Sequence, residues 1–116
     1  MSALTSGEIL TAVARILIFE DGAITFLCTK DEISIRFPKT RRLAAYLSVP
    51  HYYVIPVLAA MEEEGLVTRT ERVGVSTNTK GTAILFSRIM EDYPEEVEQI
   101  LGPDLLDAIK GRIFGR

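Results

Sequence analysis

The 116-residue chain contains one cysteine, one histidine, no tryptophan and only two side-chain amides, Asn78 and Gln99. Each scarcity excludes something. Cys28 alone cannot close an intramolecular disulfide, which fits a reducing compartment, and a lone cysteine is most often a small buried hydrophobe. His51 and Cys28 are too few and too far apart for a structural zinc site, and carboxylates at helical spacing without a second ligand type read as solvated surface. A histidine at the start of a helix is a surface or capping residue far more often than a base. No enzyme, metal or cofactor is therefore expected. No apolar run reaches the ~20 residues of a membrane span, and no basic stretch followed by an apolar core opens the chain. The expectation is a cytoplasmic protein with no membrane partner. So few amides is a feature of hyperthermophile proteins and hints at a thermophilic, archaeal source.

What is present is apolar and unevenly charged. Hydrophobic residues make up 47% of the chain, enough for one core in a single domain, 1–116. A net charge of −3 argues against indiscriminate nucleic-acid binding, which needs a basic surface to displace counterions. The distribution matters more than the sum. Between Ile33 and Gly81, Arg36, Lys39, Arg41, Arg42, Arg69, Arg72 and Lys80 outnumber Glu62, Glu63, Glu64 and Glu71. Beyond Gly81 the balance reverses, with Arg88, Lys110, Arg112 and Arg116 against Glu91, Asp92, Glu95, Glu96, Glu98, Asp104 and Asp107.

The basic part carries the most informative pattern. A short helix with Leu43, Ala44 and Leu47 meets a turn at Ser48-Val49-Pro50, and a second helix follows with Val54, Leu58 and Met61 on one face. Helices joined by so short a turn must cross. The second helix stops at Gly65, able to take the left-handed conformation. Leu66 to Arg72 and Val75 to Asn78 then read as two strands reversing about Val73-Gly74, and Thr79 reads as the cap of a third helix running to about Tyr93. Pro56 should bend the second helix or mark its true start.

With Gly65-Leu66-Val67 and Thr79-Lys80-Gly81 bracketing the strands, the stretch from about 40 to 92 resembles the winged helix-turn-helix superfamily, including MarR-like, PadR-like and ArsR-like regulators. The resemblance implies an α+β, mainly α fold: a winged helix-turn-helix with an N-terminal helix, an extra β-hairpin and a C-terminal helical tail over 94–116. It also implies a transcriptional regulator whose partner is double-stranded DNA. No small-molecule effector is legible in the sequence.

Outside the motif, a helix from Ser6 to about Phe19 opens with a capping box of Thr5 and Glu8. Its apolar residues, Ile9 through Phe19, wrap most of the cylinder, so two sides should be buried. In so small a domain the second side suggests a homodimer built from the first and last helices. Ala23 to Thr29 and Ile33 to Phe37 read as a β-hairpin, and Glu95 to Leu101 and Asp104 to Phe114 as two short helices. The run Gly74 to Thr82 imitates a phosphate loop, but its lysine precedes the second glycine, which discounts it.

The candidate DNA contacts are Lys39, Arg41, Arg42, His51, Tyr52, Tyr53, Arg69, Arg72 and Lys80. Arg41 and Arg42 fall in a first helical turn behind Thr40, where the helix dipole mildly disfavours cations; a phosphate bound there would reverse that cost. Arg69 and Arg72 alternate along the first wing strand, and wing residues of the superfamily commonly reach the DNA backbone. The recognition helix departs from the pattern. Its outward positions, His51, Tyr52, Ile55, Pro56 and Ala59, include no Arg, Lys, Asn or Gln to read base edges in pairs of bonds. The competing reading is a protein-interaction module of a transcription or replication assembly.

Overall fold

A computed structural model describes residues 4–115, and its first helix starts where the sequence places a cap. The Glu8 amide donates to Thr5 Oγ1 at 3.1 Å and the Thr5 amide to Glu8 Oε1 at 2.9 Å, so two leftover donors of the helix start are satisfied reciprocally. Helix α1 (Ser6–Arg15) runs on into a π turn (Ile16–Asp21) that closes at Gly22, φ +59°. The chain continues through β1 (Phe26–Cys28), β2 (Ile33–Ile35), α2 (Thr40–Leu47), α3 (His51–Glu63), β3 (Val67–Thr70), β4 (Gly74–Thr77), α4 (Thr79–Asp92), α5 (Pro94–Leu101) and α6 (Pro103–Phe114). The architecture is α+β and mainly helical, with two small antiparallel sheets, β1–β2 and β3–β4.

The apolar wrap of α1 has a different cause from the expected one. Ile9, Leu10, Ala12, Val13, Ala14, Ile16, Leu17 and Ile18 are all buried, and α1 packs on α2, α3 and α4 of its own chain. Its second side is filled internally. The wider π turn lets three consecutive residues, Ile16 to Ile18, face the core, while Phe19 turns out to meet the Tyr93 ring edge-on at 5.1 Å.

Between α2 and α3 the chain bends by 116°. Ser48 takes a left-handed conformation, φ 57°, and the Ser48 and Val49 amides donate back to Ala45 and Ala44 at 3.2 and 3.1 Å, which closes α2 in one step. Pro56 lies inside α3 without ending it: the ring sits on the exposed side, where the one lost donor is least costly. At the far end Gly65, φ +78°, permits a paired closure in which the Gly65 amide donates to Glu62 and the Leu66 amide to Met61. Leu43, Val54, Leu58 and Met61 are fully buried and fix the angle between the two helices.

The hairpins are shorter than the sequence suggests. In the first, Phe26 pairs with Ile35, Leu27 with Ser34 and Cys28 with Ile33, and Cys28 is exposed, contrary to expectation, because it sits at the open end of an edge strand. In the second, Val67 pairs with Thr77 and Thr70 with Gly74. The reversal is at Glu71-Arg72-Val73, closed by the Val73 amide on the Thr70 carbonyl at 3.1 Å, with Arg72 at φ 69°. Arg72 therefore belongs to the turn and not to the strand, and Gly74 is the first residue of β4. An isolated bridge between Arg36 and Ser76, with the Phe37 amide donating to the Val75 carbonyl at 2.8 Å, ties the two hairpins together.

A buried chain of hydroxyls locks this junction. The Ile35 amide donates to Thr77 Oγ1 at 2.8 Å, Thr77 and Thr82 share a hydrogen bond, and Thr82 Oγ1 lies 2.8 Å from the Ile33 carbonyl. Three elements, β2, β4 and α4, are thereby joined with no buried side-chain polar atom left unpaired among the described residues. Asn78, not Thr79, caps α4, its Oδ1 accepting from the Gly81 amide at 3.3 Å. Gly81 is required by contact: a Cβ there would lie 1.8 Å from the Leu66 carbonyl oxygen. Among the described residues no single helix is long and apolar enough to cross a membrane.

Candidate nucleic-acid interface

Lys39, not Thr40, occupies the cap position of α2 and offers no side-chain bond to it. Thr40 Oγ1 instead lies 2.8 Å from His51 Nε2, on the first residue of α3. The two helix starts are thus tied together, although their axes diverge by 116°, and each leaves first-turn backbone N–H groups at the positive end of its dipole. His51 is half-buried in this role. Arg41 in the first turn of α2 is exposed.

The cations of the basic segment fall into two kinds. Arg42 Nη2 is held by Asp21 Oδ1 at 2.6 Å and Glu20 Oε1 at 3.1 Å, both carboxylates coming from the π turn. Its pKa is raised, first by the bond to Asp21 and then by that to Glu20. Arg69 Nε lies 3.0 Å from Glu62 Oε1, and its backbone amide donates to Glu62 Oε2 at 3.3 Å. These bonds, the side-chain one foremost, hold the Glu62 carboxyl below the usual carboxylate range. Among the described residues, Arg36, Lys39, Arg41, Arg72 and Lys80 form no ion pair. Outside the segment, the arginines among the described residues are committed internally: Arg15 to the Tyr46 and Tyr93 hydroxyls, Arg88 to Thr11 and Arg112 to the Thr29 and Glu32 carbonyls.

Geometry gathers only part of the candidate set. Because Arg36 bridges Ser76 and Phe37 follows antiparallel to β4, the chain entering α2 heads toward the tip of the second hairpin, where Arg72 sits. Lys39 and Arg41 thus follow the bridge at Arg36 on the side of that tip, and the Thr40 bond ties this stretch to His51 at the start of α3. Arg36 was not among the sequence candidates. Its signal is the break after the buried run Ile33-Ser34-Ile35, where an exposed arginine interrupts a strand otherwise covered on both faces. Arg69 is drawn to Glu62 near the end of α3, and Lys80 sits in the first turn of α4, where Gly81 packs on Leu66. A helix of thirteen residues spans about 20 Å, and these two belong to its far end.

The outward face of α3 is apolar along its length. Tyr52 is 70% exposed, Tyr53 42% and Ile55 37%, and Pro56 lies beside them; the two tyrosine rings meet edge-on at 5.1 Å. Glu63 and Glu64 close this face with exposed negative charge. No protein-family model, curated protein or solved structure matches this chain.

Proposed function

We propose that the chain is a winged helix-turn-helix protein that binds double-stranded DNA as a cytoplasmic transcriptional regulator. α2 and α3 correspond to the helix-turn-helix, β3–β4 to the wing and Arg36–Phe37 to the strand that supports it. The observation that carries the proposal is the edge formed by two helix starts bound together through Thr40 and His51, with exposed Lys39 and Arg41 next to it in the chain, Arg36 on the adjoining bridge and Arg72 in the hairpin turn, none of them ion-paired among the described residues. Exposed arginines at such an edge match phosphate oxygens, and phosphates supply most of the affinity of weakly specific binders. Tyr52 and Tyr53 are placed to hydrogen-bond phosphates, and Ile55 and Ala59 to touch thymine methyl groups, which gives modest sequence preference.

Fluorescence anisotropy with a random duplex at two salt concentrations tests this. Binding that weakens steeply with salt supports it, and no binding at low salt rejects it. One observation favours a second reading, a protein-interaction module: α3 presents aromatic and aliphatic groups where a base reader would present Arg, Asn or Gln.

A further inference from the structure

DNA binding leaves the acidic end of α3, at Glu63 and Glu64, without a role, and the apolar outer face around Tyr52 suits a second apolar surface as well as a duplex. We propose that this face docks against the same face of a second copy of the chain, in an antiparallel two-fold pairing of two α3 helices. The surface is self-complementary in shape. A two-fold axis near Pro56 sets the large Tyr52 ring of one protomer opposite the small Ala59 and Ala60 of its partner, and the reverse, which fills knobs into gaps on both sides. It is self-complementary in charge as well. One end carries exposed Lys39 and Arg41 and the two helix starts joined by Thr40 and His51, and the other carries exposed Glu63 and Glu64 at a helix terminus of negative dipole. Glu62 plays no part, being held by Arg69. Antiparallel pairing brings each basic end onto the partner's acidic end, and parallel pairing would set like charges together.

The sequence suggested a homodimer through the first and last helices, and the apolar residues of α1 that motivated it are covered within one chain. Of the exposed large apolar groups, Tyr52, Tyr53 and Ile55 are the ones gathered on the outer side of one helix, α3. Two such faces bury a small area, so association belongs in the weak, reversible class. Its regulatory meaning rests on the DNA reading: the dimer hides α3, so duplex and second copy compete for one face. The docking itself does not depend on that reading, and its test uses no nucleic acid.

Sedimentation velocity over a concentration series is run on the parent chain, on Arg41→Glu and on the double variant Glu63→Lys, Glu64→Lys. All three positions are exposed, so folding is retained, and circular dichroism verifies it. The parent forms a concentration-dependent dimer. Each variant alone sets like charges at both ends of the pairing and weakens dimerisation at least about tenfold, equivalent to about 1.4 kcal/mol. An equimolar mixture of the two restores association, because opposite charges meet again at both ends. Tyr52→Ala weakens the parent dimer with no change in melting temperature. A parent that stays monomeric at high micromolar concentration, or a dimer unmoved by both variants, overturns the proposal. Duplex binding measured on the same samples separates the failure of the DNA reading from the failure of this one.

Discussion

Replacing Glu62 with Gln should raise the affinity for duplex DNA, because it unlocks a cation that the fold holds in reserve. In the parent, Arg69 Nε is bound to Glu62 Oε1 at 3.0 Å, and the pair is roughly neutral toward an approaching phosphate. The amide side chain keeps the size and a hydrogen-bond acceptor but drops the charge, so the guanidinium is released with little disturbance at an exposed site. One added phosphate contact steepens the salt dependence by about 0.9 decades of affinity per decade of salt. Between about 50 and 200 mM salt that amounts to roughly 3.5-fold more weakening than in the parent, well within the precision of an anisotropy titration. Arg69→Ala is the control and should change the slope little, because a paired arginine releases few counterions. Arg72→Ala, at an unpaired position, should flatten it by about 0.9. Equal losses from Arg69→Ala and Arg72→Ala would refute the argument, since the ion pair would then not decide which arginine meets phosphate.

Other outcomes follow from the packing. Gly81→Ala should destabilise the fold by about 3 kcal/mol, the upper range for overpacking, because the new methyl meets backbone at the Leu66 carbonyl; an unchanged melting temperature would show that α4 can slide. Thr82→Val should cost about 1–3 kcal/mol by leaving the Ile33 carbonyl and the Thr77 hydroxyl without their partner, measured by urea unfolding, and a neutral result would deny the buried chain its role. Glu62 has a lowered folded pKa, so its contribution is present above the ordinary carboxylate value and is lost as pH falls through the lowered one. The parent should therefore lose stability in that acidic window to a degree that Glu62→Gln does not, and identical acid profiles would contradict the pairing.

Local signals were legible wherever one residue type has one physical use. Thr5 with Glu8, the turn at Ser48-Val49-Pro50, Gly65 after a helix and Pro94 before one each satisfy or remove particular backbone groups within four residues, and each stands where the sequence puts it. The second hairpin misled because two conformational preferences compete there. Gly74 does take a positive φ, 118°, but as the first residue of β4, and the turn closed by the Val73 amide on Thr70 also holds Arg72 at φ 69°. Thr79 and Asn78 are both good caps, and the position of Gly81 against Leu66 decides for Asn78. The burial of the apolar residues of α1 was legible as burial, and α2, α3 and α4 of the same chain supply the cover. Periodicity reports how much of a helix is covered, not by which chain.

The candidate site was legible as composition and illegible as pairing, and Arg42 shows why. Its partners, Glu20 and Asp21, precede it by more than twenty residues, and consecutive carboxylates reach one guanidinium only because the end of the first helix is a π turn. No spacing rule predicts that. The consequence is a last test of the DNA reading. Glu20→Gln with Asp21→Asn should free Arg42 beside Arg41, in the first turn of α2, where the backbone N–H groups already favour an anion. Two adjacent guanidinium groups with that dipole can share one phosphate through paired bonds, so affinity at low salt should rise more than for Glu62→Gln, whose arginine stands apart from the helix starts. The salt slope should rise by no more than about 0.9, because a single further cation has been exposed. Gain of affinity in the Glu62 variant but none in the Glu20 and Asp21 variant would place the DNA on the hairpin side of α3 and away from the start of α2.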